Sequence, residues 1–556
     1  VRHMTLRLVC CFFITLISVV AKSQPNVLFI AVDDLRPELG CFGCEHIHSP
    51  HLDKLASRGT VFLNAHCQQA VCSPSRTSLM TGLRPDSTKV WDLNTHFRDH
   101  VPDVVTVSQH FKDHGYRSIS MGKIYHGGFD DAISWSEPAL KPGTGSRYVL
   151  EKNITRMDEK KRAARKKGLK GKDLSRASRG PPTESAEVED EKYSDGALAT
   201  LAVQTIQQFA NQDQPFFLAV GFQNPHLPFN SPKKYWELYD PQAIDLATNP
   251  FAPKNAYSKA LTTFGELRNY EGIPAKGPLD EETSKKLRHG YYAAVSFIDA
   301  CIGRVLKGLE ESGLSENTIV VVWGDHGWKL GEHGCWCKHT NVQLDTRSPL
   351  IVVAPQQKSV GEAIASPVEF VDIYPTLCDL AGFDKPRHLE GDSFAKLLQT
   401  PSRPWKRAAF SQYPRGNIMG YSMTTDRFRY TVWVDQKKDN EVVFAELYDH
   451  RKDPQENENV IDSHLYASEI KLEKIADGLK KPWSLSFIDQ KKVVITEKSG
   501  KLLTVNLMDK KILEINSDHP MIIKLSENLN KNDHKKLSYL LLDQANILDG
   551  NTLSNP

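Results

Sequence analysis

The 556-residue sequence lacks a long hydrophobic segment and a strong excess of either charge. Its main apolar run, Leu8 to Val20, is shorter than the roughly 20 residues that a membrane-spanning helix needs. Because the formal net charge is only +2, there is no bulk electrostatic drive toward nucleic acid or an anionic membrane. We therefore expect a soluble globular protein with no nucleic-acid partner and no membrane anchor.

Cysteine pairs with metal-binding spacing are also scarce. Cys41 and Cys44 form a C-x-x-C motif, but no second pair follows at the spacing of a structural zinc site. Cys10 and Cys11 lie inside the N-terminal apolar run and not at its end, which argues against a lipid anchor. The sequence assigns no disulfide pairing.

The N-terminal residues have the pattern of a secretory signal peptide. Arg2 and Arg7 precede the apolar run, and the small residues Ala21 and Ser23 offer a cleavage site. We predict a signal peptide over residues 1–23 and a secreted or periplasmic mature protein.

Short apolar runs alternate with amphipathic helical patterns along most of the chain. This alternation predicts an α/β fold with a large, mostly parallel sheet that has helices on both faces. The predicted strands are Asn26 to Val32, Ser118 to Met121, Phe216 to Val220, Ile319 to Trp323 and Leu350 to Ala354. The predicted helices are Pro50 to Gly59, Thr106 to Gly115 and Tyr291 to Leu309.

Residues 141–192 interrupt this alternation. The segment is rich in Lys, Arg, Glu, Gly and Ser and has few large apolar residues. We predict a charged surface insertion that is partly disordered or folded as an exposed helix.

The most informative segment begins at Cys72 and reads CSPSRTSLMTG. Pro74 suits the first turn of a helix and Gly82 suits its end, so Cys72 is expected at a helix N-terminus. Free N–H groups there favour an anion and would lower the pKa of a thiol. The alternatives are a buried structural cysteine and a cysteine phosphatase. The phosphatase needs an arginine six positions after the cysteine, whereas Arg76 follows after four.

Two groups of possible metal ligands follow predicted strands. Asp33 and Asp34 come after the first strand, and Asp325 and His326 come after Trp323. Ligands of open α/β sheets bind beyond the carboxyl ends of the strands. Carboxylate oxygens are the ligands that calcium and magnesium prefer, although a single Asp is more often a cap or turn residue.

These segments together resemble the type I sulfatases, and most closely their iduronate-2-sulfatase-like branch. The family motifs occur in family order at Asn26 to Leu39, Cys72 to Gly82, Met121 to His126, Gly221 to Phe229 and Trp323 to Lys338. The resemblance implies an alkaline-phosphatase-like fold. It also implies a catalytic domain over residues 24–412 and a smaller α+β subdomain with an antiparallel sheet over residues 413–470.

The resemblance further implies a reaction and a set of site residues. A separate maturation enzyme would oxidise Cys72 to formylglycine, whose hydrate attacks the sulfur of a sulfate ester. One divalent cation, expected to be calcium, would be held by Asp33, Asp34, Cys72, Asp325 and His326. The implied catalytic residues are Cys72, Arg76, Lys123, His126, His226 and Lys338.

Residues near these motifs are candidates for substrate binding. Asn94 offers a hydrogen-bonding amide, Trp328 offers a ring for sugar packing, and His96 and Arg98 suit an anionic polysaccharide. For a tryptophan, core packing is an equally good interpretation. The expected substrate is a sulfated oligo- or polysaccharide, for instance one with a 2-O-sulfated uronic acid such as iduronate 2-sulfate.

The end of the chain does not fit the family. Residues 470–518 resemble one partial propeller blade of quinone-dependent sugar dehydrogenases, and a propeller needs several blades to close. We therefore expect residues 471–556 to be a poorly packed tail or an edge hairpin without an activity of its own.

Two other functions compete with a sulfatase. One is a phosphomonoester or phosphonate hydrolase of the same superfamily. The other is a non-catalytic glycan-binding relative whose Cys72 is never converted. The CSPSR motif and the expected single-metal ligand set favour the sulfatase.

Overall fold

The computed structural model describes residues 24–462 and the backbone of four later strands between residues 482 and 514. The predicted signal peptide lies outside the described residues. The chain divides into two compact units, Val1–Ser463 and His464–Pro556.

The first unit contains seventeen strands and eleven α-helices among the described residues. The strands are β1 (Asn26–Val32), β2 (Thr60–Phe62), β3 (Ala65–His66), β4 (Arg117–Gly122), β5 (Thr183–Ala186), β6 (Phe216–Phe222), β7 (Phe229–Pro232), β8 (Thr318–Gly324), β9 (Lys329–Leu330), β10 (Trp336–Cys337), β11 (Leu350–Val353), β12 (Glu362–Ile364), β13 (Val368–Glu369), β14 (Ala409–Arg415), β15 (Ile418–Thr424), β16 (Phe428–Asp435) and β17 (Glu441–Asp449). The helices are α1 (Pro50–Arg58), α2 (Cys72–Thr81), α3 (Pro85–Thr88), α4 (Val107–Asp113), α5 (Glu151–Lys166), α6 (Gly171–Ala177), α7 (Ser194–Phe209), α8 (Lys233–Trp236), α9 (Glu281–Glu311), α10 (Gln343–Thr346) and α11 (Ile373–Ala381).

A seven-stranded mixed sheet in the order β12-β2-β11-β8-β1-β6-β4 forms the centre of this unit. Strands β4, β6, β1 and β8 are parallel, whereas β11 is antiparallel to both of its neighbours. The predicted α/β fold is confirmed, and each predicted strand and helix is present with ends shifted by a few residues, except that α9 begins ten residues before the predicted start.

The sheet has a hydrophobic core on each face. Alternate residues of a strand point to opposite faces, so Leu28, Ile30 and Val32 of β1 pack with α1, α7 and α9, while Val27 and Phe29 pack with α2, α4 and α11. This two-sided burial explains why β1 is apolar at every position after Asn26.

The predicted insertion is ordered in part and shorter than expected. Residues 151–177 form the helices α5 and α6, most of whose side chains are exposed. Thr183–Ala186, however, forms β5, which pairs in parallel with β7, and Glu184 is buried. The last part of the predicted insertion therefore belongs to the folded domain.

A four-stranded antiparallel sheet, β14-β15-β16-β17, follows the main sheet in the chain and matches the predicted C-terminal subdomain. It begins at Ala409, four residues before the predicted boundary. Among the described residues after Ala381 there is no further helix, so the α part of this subdomain is not seen there.

The second unit contains another four-stranded antiparallel sheet, formed by β18 (Pro482–Asp489), β19 (Lys492–Glu497), β20 (Leu502–Asn506) and β21 (Ile512–Glu514). This is more than the edge hairpin that we expect from the sequence, and a four-stranded antiparallel sheet is the architecture of one propeller blade. No helix in the described part of the chain is long and apolar enough to cross a membrane.

Candidate active site

The site lies where the central parallel strands end. In the sheet register Val32 is opposite both Phe222 and Gly324, so the segments after β1, β6 and β8 leave the sheet at one edge. The Asp34 N–H donates to Asp325 Oδ1 (2.9 Å), and the Asp325 N–H donates to Val32 O (3.1 Å). These bonds fix the aspartates side by side.

Helix α2 places Cys72 against these aspartates. The helix begins at Cys72 and ends before Gly82. Gly82 has a φ of 69°, and this left-handed backbone conformation terminates the helix. Cys72 Sγ lies 3.4 Å from Asp33 Oδ1 and 3.4 Å from His326 Nε2. The expected position of Cys72 at a helix N-terminus is therefore confirmed.

The thiol of Cys72 does not have the lowered pKa that its helix position suggests. Burial raises the pKa of this thiol well above its usual value, and the Asp33 carboxylate raises it further. The side chain is 3% exposed. Desolvation and the neighbouring negative charge outweigh the helix N-terminus, so the thiolate is the disfavoured form.

Arg76 lies one turn after Cys72 on α2 and joins Asp33 to Asp325. Its Nε donates to Asp325 Oδ2 (2.9 Å) and its Nη2 to Asp33 Oδ1 (3.0 Å). The guanidinium is fully buried and also donates to the carbonyls of Lys123 and Ile124. The planar guanidinium thereby holds the segments after β1, β4 and β8 in one arrangement.

Four side chains could together hold a metal ion: Asp34, Cys72, Asp325 and His326. Each offers a ligand atom, and these atoms lie within 4.8 Å of one another. His326 Nδ1 lies 2.9 Å from the Gly327 carbonyl, to which it donates, so the lone pair of Nε2 faces the carboxylates. Burial raises the pKa of Asp34 to about 7, and a neighbouring carboxylate adds to the shift. The charge and donor types of this group fit a divalent cation.

Lys123 and His126 follow β4 on one side of Cys72. The Lys123 ammonium contacts Asp33 and lies 3.5 Å from Cys72 Sγ. Burial opposes ionisation of Asp33, but the neighbouring cations, Lys123 first, hold its pKa well below the usual value. His126 Nδ1 is buried without a hydrogen-bond partner among the described residues, and burial lowers the His126 pKa to about 4.

Lys338 and His226 lie on the other side, and a residue that the sequence patterns missed joins them. Glu266 accepts from Lys338 Nζ at 2.9 Å and lies 2.9 Å from His226 Nε2. Lys338 also donates to both carboxylate oxygens of Asp34, each at 3.0 Å. Burial opposes ionisation of Glu266, but Lys338 and His226 hold its pKa well below the usual value. Glu266 thus extends the charge network of the site.

Two of the predicted substrate contacts have structural roles instead. Trp328 is fully buried, packs edge-on against Phe229 and lies under the Lys338 ammonium, so it has no free ring face for a sugar. Arg98 binds Asp131 with two nitrogens (3.1 and 2.7 Å) and donates to three further protein acceptors. Its donors are thereby occupied by the protein.

The other two candidates remain open to a ligand. Asn94 is exposed, and its Oδ1 accepts from Lys172 of α6. His96 is half-buried, and its ring lies 6.0 Å from that of Phe129, which in turn lies 6.2 Å from the ring of His126. Phe129 thus connects the His96 segment to the site.

Comparison with known proteins places this site in a family. Residues 25–383 match the model of the sulfatase family, and residues 331–481 match that of the C-terminal region of N-sulphoglucosamine sulphohydrolase. Iduronate 2-sulfatase of Mus musculus is 33% identical over 518 residues, which cover 79% of this chain and 91% of that protein.

Solved structures share the fold. BT4656, in complex with its substrate D-glucosamine-2-N,6-O-disulfate, matches with a TM-score of 0.61 at 20% identity over 80% of this chain and 95% of that one. The phosphonate monoester hydrolase SpPMH of Silicibacter pomeroyi matches with a TM-score of 0.60 at 22% identity over 80% and 93%. At these identities the likeness shows the fold alone.

The chain belongs to the sulfatase family, whose members hydrolyse sulfate esters. Within that family it falls in the iduronate-2-sulfatase-like branch, as its motifs predict.

Proposed function

We propose that this protein hydrolyses sulfate esters of a sulfated glycan with a formylglycine made from Cys72 and one bound divalent cation. The observation that carries the proposal is the convergence on Cys72 Sγ. A carboxylate (Asp33), an imidazole (His326) and an ammonium (Lys123) from three separate segments lie within 3.5 Å of this one atom, and Asp34 and Asp325 complete a possible metal site with it. Burying charged groups is costly even when they are paired, so packing alone does not explain this many charges around one thiol.

The environment of Cys72 supports its use as a precursor. As a thiol it is buried and hard to ionise, which is a poor arrangement for a thiolate nucleophile. Formylglycine supplies a hydrated aldehyde, with one hydroxyl to attack sulfur and a second through which sulfate is later released. Its formation requires a maturation enzyme as a partner.

The cation site suits calcium. Asp34, Asp325, His326 and the residue at position 72 would hold the ion. Asp33 is the fifth ligand that the family motifs imply, and the oxygen-rich donor set is the kind that a hard cation prefers. A bound cation supplies positive charge that polarises the sulfate and favours the ionised nucleophile.

Two cationic side chains would bind the sulfate, whereas Arg76, whose three nitrogens all donate to the protein, would fix the aspartates beside position 72 and help to neutralise charge. Lys123 and Lys338 reach the region around Cys72 and Asp34 and are each held by carboxylates. Their positions are fixed before substrate arrives, so little reorganisation is needed as negative charge builds on the sulfate oxygens.

Two histidines would transfer protons. His226 Nδ1 lies 2.6 Å from the Leu227 carbonyl, to which it donates, so Nε2 faces the pocket beside Glu266. When Nε2 also carries a proton, which the Glu266 carboxylate stabilises, His226 would give that proton to the departing sugar oxygen, with Lys338 as a helper. His126 is neutral at neutral pH because burial lowers its pKa to about 4. It can therefore accept the proton whose removal releases sulfate.

The substrate class rests on the relatives. Two similar proteins are named iduronate 2-sulfatase. Their name supports a 2-O-sulfated uronic acid within a glycan as the substrate of this protein. Asn94 and His96 remain the proposed substrate contacts, because Asn94 is exposed, His96 is half-buried, and each uses only one of its polar atoms to accept from the protein. We also propose export of the protein, for which the N-terminal sequence pattern is the support.

A substrate panel tests the function. Protein co-expressed with a formylglycine-generating enzyme is offered defined sulfated oligosaccharides, phosphomonoesters and phosphonate monoesters. We expect release of sulfate from at least one glycan at rates well above those for the phosphorus esters. Cys72→Ala should lower kcat by at least about 10³-fold, whereas the half-buried control Cys44→Ala should not.

The panel separates the competing functions. Preferential cleavage of a phosphonate or phosphomonoester contradicts the sulfatase proposal, and so does full activity of Cys72→Ala. Glycan binding without any turnover of the matured protein would identify the non-catalytic relative instead.

A further inference from the structure

We propose that the α5–α6 segment, residues 151–179, is a binding surface for the chain of a polyanionic glycan whose sulfate ester is held in the active site. This inference rests on the proposed function and adds an extended, multiply charged polymer as the substrate.

The segment concentrates positive charge far beyond the average of the chain. It contains twelve Lys or Arg and four Asp or Glu, a net charge of +8 in 29 residues, whereas the whole chain carries +2. The rest of the chain therefore carries a net negative charge, in contrast to this segment. Such a local excess attracts anions even where the protein as a whole does not.

Most of these cations form no ion pair with the part of the chain that the structure describes. Lys161, Arg162, Arg165 and Lys166 on α5 are exposed and form no ion pair among the described residues. The opposite face of α5 is anchored, since Asn153 is buried and donates to Glu184 (2.7 Å). The helix therefore has one face fixed to the domain and one face of unpaired positive charge.

The segment contacts two residues, Glu271 and Asn94, that lie close in sequence to proposed site residues or are themselves proposed substrate contacts. Arg156 and Lys160 bind Glu271 at 2.5 and 2.7 Å, five residues after Glu266. Lys172 of α6 donates to Asn94, one of the proposed substrate contacts. The same chain region, just before α5, places Arg147 3.3 Å from His226 Nδ1.

These contacts link the α5–α6 segment to Glu271 and Asn94. A 16-residue helix is about 24 Å long, so α5 extends well beyond the dimensions of a single sugar. A sulfated monosaccharide is much shorter than this helix, whereas a polymer with repeated sulfate or carboxylate groups can extend along it. The surface thus favours long, highly charged chains over small esters.

The test compares polymer with monomer on one enzyme. In the matured, full-length protein the four α5 cations are replaced by glutamine (K161Q, R162Q, R165Q, K166Q). We expect KM for a sulfated polysaccharide such as heparin to rise about tenfold or more, because several exposed charge contacts are lost together. KM and kcat for a sulfated monosaccharide should stay within about twofold, which also shows that the variant is folded.

A charge-matched control removes four exposed lysines from other elements (K54Q, K286Q, K358Q, K396Q). This variant should keep the polymer preference of the parent protein. An equal KM for polymer in the parent and the α5 variant overturns the proposal while sulfate release still supports the function. Absence of sulfate release from every glycan contradicts the function itself.

Direct binding settles the class of polymer. The Cys72→Ala protein is titrated with heparin, with single-stranded DNA and with vesicles containing phosphatidylserine. We expect heparin to bind most tightly, with an affinity that falls as salt rises and that depends on the four α5 cations. Tighter binding of DNA or of the vesicles contradicts a glycan-binding role.

Discussion

At the scale of single residues, the site is a network of opposite charges built around one cysteine. Asp34 is bound by Lys338, Asp33 by Arg76 and Lys123, and Glu266 joins Lys338 to the His226 imidazole. Each buried charge has a partner, which is the condition under which such groups can be held without water. The position of each charged side chain in this network therefore depends on its neighbours.

Glu266 gives the clearest prediction at this scale. Glu266→Gln keeps the shape of the side chain but removes the charge that holds Lys338 and His226. We expect kcat/KM for a sulfated glycan to fall about 10- to 100-fold, equivalent to the loss of one or two charge-assisted hydrogen bonds. Steady-state kinetics measure this effect, and circular dichroism checks the fold.

The control for this change is Glu282→Gln, which alters an exposed glutamate of α9 that forms no ion pair among the described residues. It should leave kcat/KM unchanged. If Glu266→Gln were as active as the parent protein, Glu266 would have no positioning role.

The charge network also shows which residues sequence patterns can find. Asp33, Cys72, Lys338 and their neighbours follow strands or lie in short motifs, so the motifs identify them. Glu266 lies in a turn directly before the short 3-10 helix Leu267–Asn269 and belongs to no sequence motif. Only the folding of the chain brings it to His226. Trp328 lies within a motif, yet its burial depends on Phe229 from a distant strand, which sequence cannot reveal.

At the scale of elements, the site depends on the close approach of β4 and β6 at their carboxyl ends. The Lys123 N–H donates to Gly221 O (2.7 Å), and a Cβ added to Gly221 would collide with the backbone of Lys123. Gly221 is therefore required for the backbone contact that positions Lys123. The sequence predicts both strands, but the order β8-β1-β6-β4 follows only from tertiary pairing.

Gly221→Ala tests this contact. Because the colliding atoms belong to the backbone, the strands must separate and Lys123 must move. We expect kcat to fall at least about 10-fold and the melting temperature to drop by several degrees. Gly127→Ala is the matched control, since a Cβ there meets no atom within 4 Å and should change neither quantity. Unchanged kinetics of Gly221→Ala would contradict the role of the contact.

At the scale of the whole molecule, function is assigned to the first compact unit alone. All proposed site residues lie between Asp33 and Lys338, inside Val1–Ser463. The separate sheet of the second unit contributes none of them. The resemblance of residues 470–518 to one propeller blade predicts a blade-like sheet but gives no reason for an activity.

Removal of the second unit tests this division. A chain that ends after Asp462 should retain kcat and KM for sulfated oligosaccharides within about twofold, since both hydrophobic cores of the described residues and all proposed site residues lie before that point. Sulfate release by the shortened and full-length proteins is compared at equal concentration. A loss of activity by the soluble shortened chain would show that the second unit takes part.

The central claim is that Cys72 is a precursor, and the mass of the peptide containing position 72 tests it most directly. Protein matured with a formylglycine-generating enzyme should show the mass of an aldehyde in which oxygen has replaced sulfur and two hydrogens. Its sulfatase activity should rise in proportion to the converted fraction. An active preparation in which position 72 has only the mass of cysteine would contradict the account.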